Sequence, residues 1–508
     1  MTGLEFLGAL MLVVMLAAIF IGLPISFTLL FLALIFGYMG LGTKVFNLAY
    51  LQTFGMMKQD EFVAVPLFIL MGYICDQAGM MERLFKAFRD LFAPVRGALY
   101  VVVILTATLF GIAAGTVGAT VVLLGILAGP MMIKAGYDVR MSAGSIAAGG
   151  TLGILIPPSV MLVVMAPVLE ISIIDLYAAS FGPGFLLSGM YIVYTLGRSF
   201  INPKLGPPVP MEDRPASMKI VLWECLVGLV PVTVLTILTL GAILAGLTTA
   251  SEAAALGALG AVILAIAYGR FTIRGLLDAC NSTMATTAMV LFLAVGSNVF
   301  GAVFSWLGTA NWITQMLLAS PLPGWGTMTL LLGLIFLLGW PFEWPAIVLI
   351  FLPLLAPVAK GLGYDMVWFG CVVAVVLQTA FLSPPVAMSA YYLKQVVKEW
   401  NLALIYRGMA DFMVIQVICV VLVLAFPQIA MWFPNWLGER VKAERMQEAG
   451  QEDKQAEEEQ AKRDAADEER RKEREREDEE IRKADEEAQR KADEEEAKAA
   501  KSKGKSKR

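Results

Sequence analysis

Apolar runs long enough to cross a bilayer follow one another from residue 5 to residue 430, and no other feature limits the fold of this 508-residue chain so tightly. A hydrocarbon layer about 30 Å thick is crossed by about 20 helical residues. Runs of that order fall near 5–22, 25–40, 62–78, 98–134, 141–166 and 172–197, then near 220–246, 250–268, 283–305, 326–360, 366–392 and 404–430. The charges agree. Of 39 basic and 43 acidic residues, 21 and 25 lie in 439–508, which leaves 18 of each sign for residues 1–438. Roughly 8% charge cannot cover a soluble surface, where about 25% is usual. Spanning segments must pair all their backbone groups internally, which restricts them to helices or closed barrels, and runs of this length are helices. Residues 1–438 are expected to form an all-α polytopic membrane domain, and 439–508 a separate charged tail.

Several function classes fall away. The chain has no histidine, the commonest metal ligand and the usual base near neutral pH. Its five cysteines, 75, 225, 280, 371 and 419, stand singly, so neither a disulfide framework nor a zinc or iron–sulfur site is expected. No GxxxxGK[ST] phosphate loop is present. No paired acid and base sits at membrane depth, so an enzyme is not expected, nor a nucleic-acid partner. Met1–Gly40 has no basic leader and runs on as apolar sequence, which reads as a first spanning helix rather than a cleaved signal peptide.

Two runs, 98–134 and 326–360, are too long for one span and short for two. The first contains Gly111, Gly115 and Gly118 near its middle, the second Pro341 and Pro345. A helical hairpin that enters and leaves on one face fits that length; two full helices with a tight turn is the other reading. The excess of Lys and Arg in cytoplasmic loops separates them. With both runs as re-entrant hairpins, the clusters Arg83–Arg96, Lys134/Arg140, Arg198–Lys219, Arg270/Arg274 and Lys394–Arg407 share one face. The base-free loops 167–175 and 305–324 then share the other. Counting the first run as a single crossing separates Arg96 from Lys134 and destroys the pattern. Residues 80–93 and 270–282 have charged and apolar residues at helical spacing and are expected to be interfacial helices joining spans.

The second half repeats the first. Pro130, Gly136, Tyr137, Asp138, Pro157, Pro158 and Met161 recur 227 residues later as Pro357, Gly363, Tyr364, Asp365, Pro384, Pro385 and Met388. The repeats are expected over about 5–200 and 218–432. Five crossings separate the two hairpin entries, and an odd number inverts the second copy. Inverted repeats belong to alternating-access transporters, whose binding site lies where the halves meet.

Helix-breaking sequence occurs deep in apolar surroundings at 111–119, 151–159, 339–345 and 381–386, one hairpin tip and one Pro-Pro break in each repeat. Proline lacks the N–H and obstructs the preceding turn, so a Pro-Pro pair frees carbonyls upstream. Freed backbone in a membrane must line a hydrated cavity or bind something, and half-helix ends offer carbonyls to a cation and N–H groups to an anion.

The segments VPLFILMGYICDQAGMMERL, FGIAAGTVGATV and GGTLGILIPPSVM within 62–161 resemble the large membrane subunit of tripartite ATP-independent periplasmic (TRAP) transporters. So do GLTTASEAAALGAL (246–259), FLLGWPFEWPAIVLIFLPLLAPVAKGLGYD (336–365) and FLSPPVAMSAYYL (381–393), and the resemblance covers about 4–435. It implies an inverted-repeat, ion-transporter-like elevator fold with two re-entrant helical hairpins and two unwound helices. It implies a bacterial inner membrane location and sodium-driven uptake of a small organic acid or related solute, with sodium as coupling ion and no other cofactor. The implied partners are a periplasmic substrate-binding protein and a small four-helix membrane subunit. A stand-alone ion-coupled carrier of the same fold is the alternative.

Carried over, the resemblance implies a first sodium site from Ala114, Gly115 and Thr116 with Gly153, Ile156 and Pro157. The second would use Gly339, Pro341 and Glu343 with Phe381, Ser383 and Pro384, substrate lying between. The first tip departs from the family's serine-rich pattern, leaving Thr116 as its hydroxyl candidate. Glu343 is either a functional carboxylate at membrane depth or a first-turn residue stabilising the helix from Trp344. Glu252 in TTASEAA reads as a helix-start residue behind Thr249 or Ser251 as cap. The tail lacks the apolar positions of a coiled-coil seam and reads as a charged helix or disordered extension.

Overall fold

The computed structural model describes residues 2–114, 117–214, 217–384 and 387–440, with 470, 476, 479, 482–484 and 486–491 of the tail. Among these residues all regular structure is helical, and eight helices are long and apolar enough to span a bilayer. The chain divides into two units, Met1–Asn435 and Trp436–Arg508.

The first repeat opens with α1 (Gly3–Phe20), α2 (Ile25–Leu41) and α3 (Lys44–Met57). Next come α4 (Ala64–Gln77) and α5 (Met80–Phe92), separated by Gly79 at φ 70 and bent by 60°. A left-handed residue ends a helix cheaply only as glycine, and here it turns the chain into the amphipathic α5. The first long apolar run becomes α6 (Ala98–Ala114) and α7 (Val117–Lys134). It is followed by α8 (Val139–Thr151), a 3-10 turn Leu152–Ile154, α9 (Val160–Leu169) and α10 (Ile173–Ile201).

The second repeat runs through α11 (Met218–Thr236, continued by a π turn Ile237–Gly241), α12 (Ala250–Ala267) and α13 (Ile273–Trp306). After Gly308, at φ 81, comes α14 (Thr309–Leu318). The second long run is α15 (Gly324–Leu338), a π turn Ile347–Phe351 and α16 (Leu352–Gly361). Then follow α17 (Met366–Leu377), a 3-10 turn Gln378–Phe381, α18 (Met388–Val396) and α19 (Leu402–Ala425).

The repeated residues do the same work twice. Pro130 lies inside α7 and Pro357 inside α16. Gly136 and Gly363 take φ 72 and φ 79 to end those helices. Asp138 then caps α8, accepting from the Met141 N–H at 2.8 Å, and Asp365 caps α17, accepting from Val367 and Trp368 at 2.8 and 2.9 Å. Each capped helix tightens into a 3-10 turn, Leu152–Ile154 or Gln378–Phe381, that ends ahead of the Pro-Pro sequence. The GYD triplet is thus a helix stop, a spacer and a helix start.

Two connecting segments differ from the sequence reading. Residues 270–282 are not a separate interfacial helix: from Ile273 they are the first turns of the unbroken 34-residue α13. No Gly or Pro falls between Leu276 and Val295 to interrupt it. At about 1.5 Å per residue α13 far exceeds a hydrocarbon layer of about 30 Å. The base-free stretch 305–324 is not all loop, because α14 lies within it.

The helices of the first unit pack as two groups joined by contacts of α6 with α4 and α5. In one, α4 packs on α12 and α13, α13 on α2 and α3, and α11 on α5. Here Lys86 pairs with Glu224 at 2.6 Å, and the Arg83 guanidinium lies 4.2 Å over the Tyr268 ring. In the other group, α8 packs on α6, α7 and α19, α10 on α17 and α19, and α18 on α7. Arg140 pairs with Asp411 across α8 and α19, and the Tyr194 hydroxyl donates to the same carboxylate at 3.3 Å. In the second unit the described tail residues are helical, with i,i+4 pairs Lys483–Glu479 and Lys491–Glu487, each 3.1 Å.

Candidate functional site: two hairpin tips on two broken helices

In α8 the break follows from Pro157 and Pro158, joined by a cis peptide bond. In an unbroken helix their N–H groups would bond the carbonyls of Gly153 and Ile154, and prolines have none to give. The Ser159 hydroxyl donates to the Ile154 carbonyl at 2.5 Å, replacing one bond. The Gly153 carbonyl receives no such helical partner. In the second copy Pro384 and Pro385 stand at the equivalent places, so Ala380 and Phe381 lose theirs.

The hairpin tips come down on these residues. Gly111, near the end of α6, lies so close to Gly153 that a methyl group on Gly153 would sit 2.7 Å from the Gly111 Cα. Gly339, just past α15, packs against Ala380: a methyl there would be 2.9 Å from the Ala380 Cβ and 3.2 Å from its Cα. Gly153 and Ala380 are repeat equivalents, 227 residues apart. In both halves the tip touches the residue whose carbonyl a proline has released.

Beside the pairs lies a cavity of about 140 Å³, room for several water molecules. Val117 and Gly118 border it from the first tip, Ile154 and Val160 from the first break. Glu343, Trp344 and Pro345 contribute from the second tip; Phe381, Met388 and Tyr392 lie at and after the second break. The other helix group supplies Ile69, Thr286 and Met289. The cavity is therefore shared by both repeats and both helix groups.

The proposed site residues divide. Gly153 and Gly339 make the tip–break contacts, and Glu343 and Phe381 line the cavity. Pro157 and Pro384 make the breaks, and Pro341 lies in the turn between α15 and Trp344. The Ile156 side chain packs against Gly184 of α10, away from the tip. Ser383 is buried, and its hydroxyl donates to the Thr379 carbonyl at 2.6 Å beside the Met413 sulfur. Ala114 ends α6, while Gly115 and Thr116 lie outside the described residues. Sequence reasoning passed over Tyr392 and Thr286, because a lone hydroxyl on an apolar helix carries no local signal.

The two acidic helix-start residues have different roles. Glu252 completes a capping box: its carboxylate accepts from the Thr249 N–H at 2.8 Å, and its own N–H donates to Thr249 Oγ1 at 3.3 Å. Glu343 is the N-cap residue before Trp344, yet its side chain makes no capping bond. Only its main-chain carbonyl serves the helix, accepting from Ala346 and Ile347 at 3.1 and 3.3 Å. Glu343 lines the cavity, and no capping bond holds its carboxylate.

The family described as "Tripartite ATP-independent periplasmic transporter, DctM component" matches residues 12–429. The chain is 32% identical over 429 residues to the sialic acid TRAP transporter large permease protein SiaM of Vibrio cholerae, covering 83% of this chain and 96% of that one. It is 28% identical to the C4-dicarboxylate TRAP transporter large permease protein DctM of Pseudomonas aeruginosa, over 76% of this chain and 89% of that one. Identity to the ectoine TRAP transporter large permease protein TeaC of Halomonas elongata is 27%, over 75% and 88%. The fold is similar to the crystal structure of the Alcanivorax borkumensis YdaH transporter, with a TM-score of 0.56 at 18% identity, covering 77% of this chain and 90% of that chain.

Proposed function

This chain belongs to the tripartite ATP-independent periplasmic transporter family as a large membrane (DctM) component, and we propose that it imports a small organic acid or related solute by sodium symport across the bacterial inner membrane. The family works with a small membrane subunit and a periplasmic binding protein. For this chain we take those partners to be a four-helix protein and a soluble solute carrier.

The observation that supports this reading most is the pair of tip–break contacts, Gly111 on Gly153 and Gly339 on Ala380, beside one cavity lined by Ile154 and Phe381, the residues that follow Gly153 and Ala380. A proline-released carbonyl beside a helix end is a hard-oxygen environment suited to sodium. Two such places flanking one cavity supply coupling ions on either side of a solute. The two hairpins enter from opposite faces, and one helix group moves against the other to expose the cavity alternately.

The test is uptake into proteoliposomes holding this chain and its small subunit, with the binding protein and the solute it captures. Uptake requiring both an inward sodium gradient and the binding protein supports the reading. Accumulation without either contradicts it.

A further inference from the structure

We propose that a bowl at the mouth of the second hairpin holds the headgroup of a membrane phospholipid ending in an ammonium, a phosphoethanolamine or phosphocholine lipid supplied sideways from the bilayer. The site is separate from the cavity beside the tips, and the proposal rests on neither sodium nor the transported solute.

The bowl measures about 500 Å³ and lies where α17 begins, between α15 and α19. Three aromatic rings wall it: Trp325 on α15, with Tyr364 and Trp368 about the start of α17, the last two stacked at 5.2 Å between centroids. Asp365 is the one acid among its described lining residues, and no Lys or Arg joins it. Both capping bonds of Asp365 go to Oδ1, and neither uses Oδ2. Aromatic faces and a carboxylate together attract a cation. Trp325 is 71% exposed, so its ring stands open to a ligand instead of packing into a core.

In the first repeat the chain itself closes the same corner. There Tyr137 is buried against Tyr100, their ring centroids 4.9 Å apart. The Leu205 carbonyl lies over the corner, accepting from the Tyr100 hydroxyl at 2.6 Å and from the Asp138 N–H at 3.1 Å. After α19 the chain reaches the second corner only with Pro427 and Met431, and the bowl stays open.

The bilayer leads to it. On α19, Val414, Val417, Ile418 and Val421 are exposed at helical spacing, and Val421 also lines the bowl. On α15, Leu330, Leu334 and Leu337 are exposed. Both helices pack on α17, so the two apolar stripes flank it and give acyl chains a track up to the aromatic rings. Because α15 starts directly after the base-free stretch 305–324, the bowl lies at the end of the span, at headgroup depth, where exposed tryptophan is favoured. A soluble amine would leave the stripes unused, whereas a lipid covers them. A lipid whose only headgroup charge is its phosphate would meet the Asp365 carboxylate with no cation to offset it.

The test places the full chain in phosphatidylglycerol vesicles containing a trace of one of two photoactivatable lipids. Each carries a diazirine on an acyl chain, and they differ only in an ethanolamine or a glycerol headgroup. After illumination, mass spectrometry reads labelling at Met328 and Leu424, which line the bowl, relative to Ile263, which is exposed on α12. We expect this relative labelling to be about five-fold higher for the ethanolamine lipid. The preference should disappear in Trp325→Leu, which keeps an apolar side chain without the ring. It should disappear too in Asp365→Asn, which keeps a capping oxygen without the charge. Equal labelling by the two lipids in the wild type, or a preference that either variant leaves unchanged, overturns the proposal. So does the absence of lipid labelling at Met328 and Leu424, which would leave the bowl to a protein partner. None of these results bears on whether sodium drives uptake, so failure here leaves the transport reading to its own test.

Discussion

Gly111 and Gly153 meet backbone to backbone, with no room for a single methyl group on either. They come from different parts of the first repeat, the end of one hairpin limb and the unwound stretch of a broken helix. The contact joins the two elements that release backbone groups within the membrane. Its counterpart, Gly339 on Ala380, tolerates one methyl, on Ala380, and no second.

Gly153→Val should therefore be costly. Overpacking a filled interior typically costs about 1–3 kcal/mol, and here the obstructing atoms are backbone that no rotamer change can clear. We expect a lowered melting temperature in detergent and loss of uptake. Gly189→Ala, where an added methyl meets nothing within 4 Å, should change neither. Equal effects from the two would show that the close contact has no importance.

The matched caps make a second expectation. Asp138→Ala and Asp365→Ala each remove a side chain that accepts from main-chain N–H groups at the start of a broken helix. Loss of such a cap costs about 1 kcal/mol. Thermal unfolding should show similar decreases for both, since the two residues hold equivalent places. A large effect from one and none from the other would contradict the equivalence.

Thr249→Ala breaks the capping box with Glu252, and a destabilisation of about 1 kcal/mol is expected. Because this box caps α12 outside the cavity lining, the sodium concentration for half-maximal uptake should stay at the wild-type value. A shift of several-fold would place Glu252 in the transport machinery.

Ser383→Ala probes the second break. The hydroxyl gives its proton to the Thr379 carbonyl and keeps lone pairs free to face a cation. Uptake is expected to need a several-fold higher sodium concentration. Unchanged sodium dependence would mark Ser383 as a packing residue beside Met413.

The spans were legible because hydropathy over about 20 residues is a sum that tolerates local error. The four breaks were legible because proline and glycine act on the backbone wherever they stand, and the helical turns after α8 and α17 end ahead of their Pro-Pro sequences. What the sequence hid depended on partners far along the chain. Nothing local distinguishes Gly111 from Gly125, yet the first meets Gly153 and the second the Val396 side chain. Glu343 and Glu252 both stand at helix starts, and only the absence or presence of a side-chain bond separates them. The misread connection at 270–282 has a similar cause. Its charge pattern suits an interfacial helix, but no breaker ends that helix before the span begins.

Sodium binding to the purified chain tests the central claim most directly, since it needs neither partner nor solute. We expect the wild-type protein to retain ²²Na⁺ in a scintillation proximity assay. Gly153→Val combined with Gly339→Val, eluting as the wild type does on gel filtration, should retain none. Full binding by that double variant would show that the tip–break contacts do not hold the coupling ion.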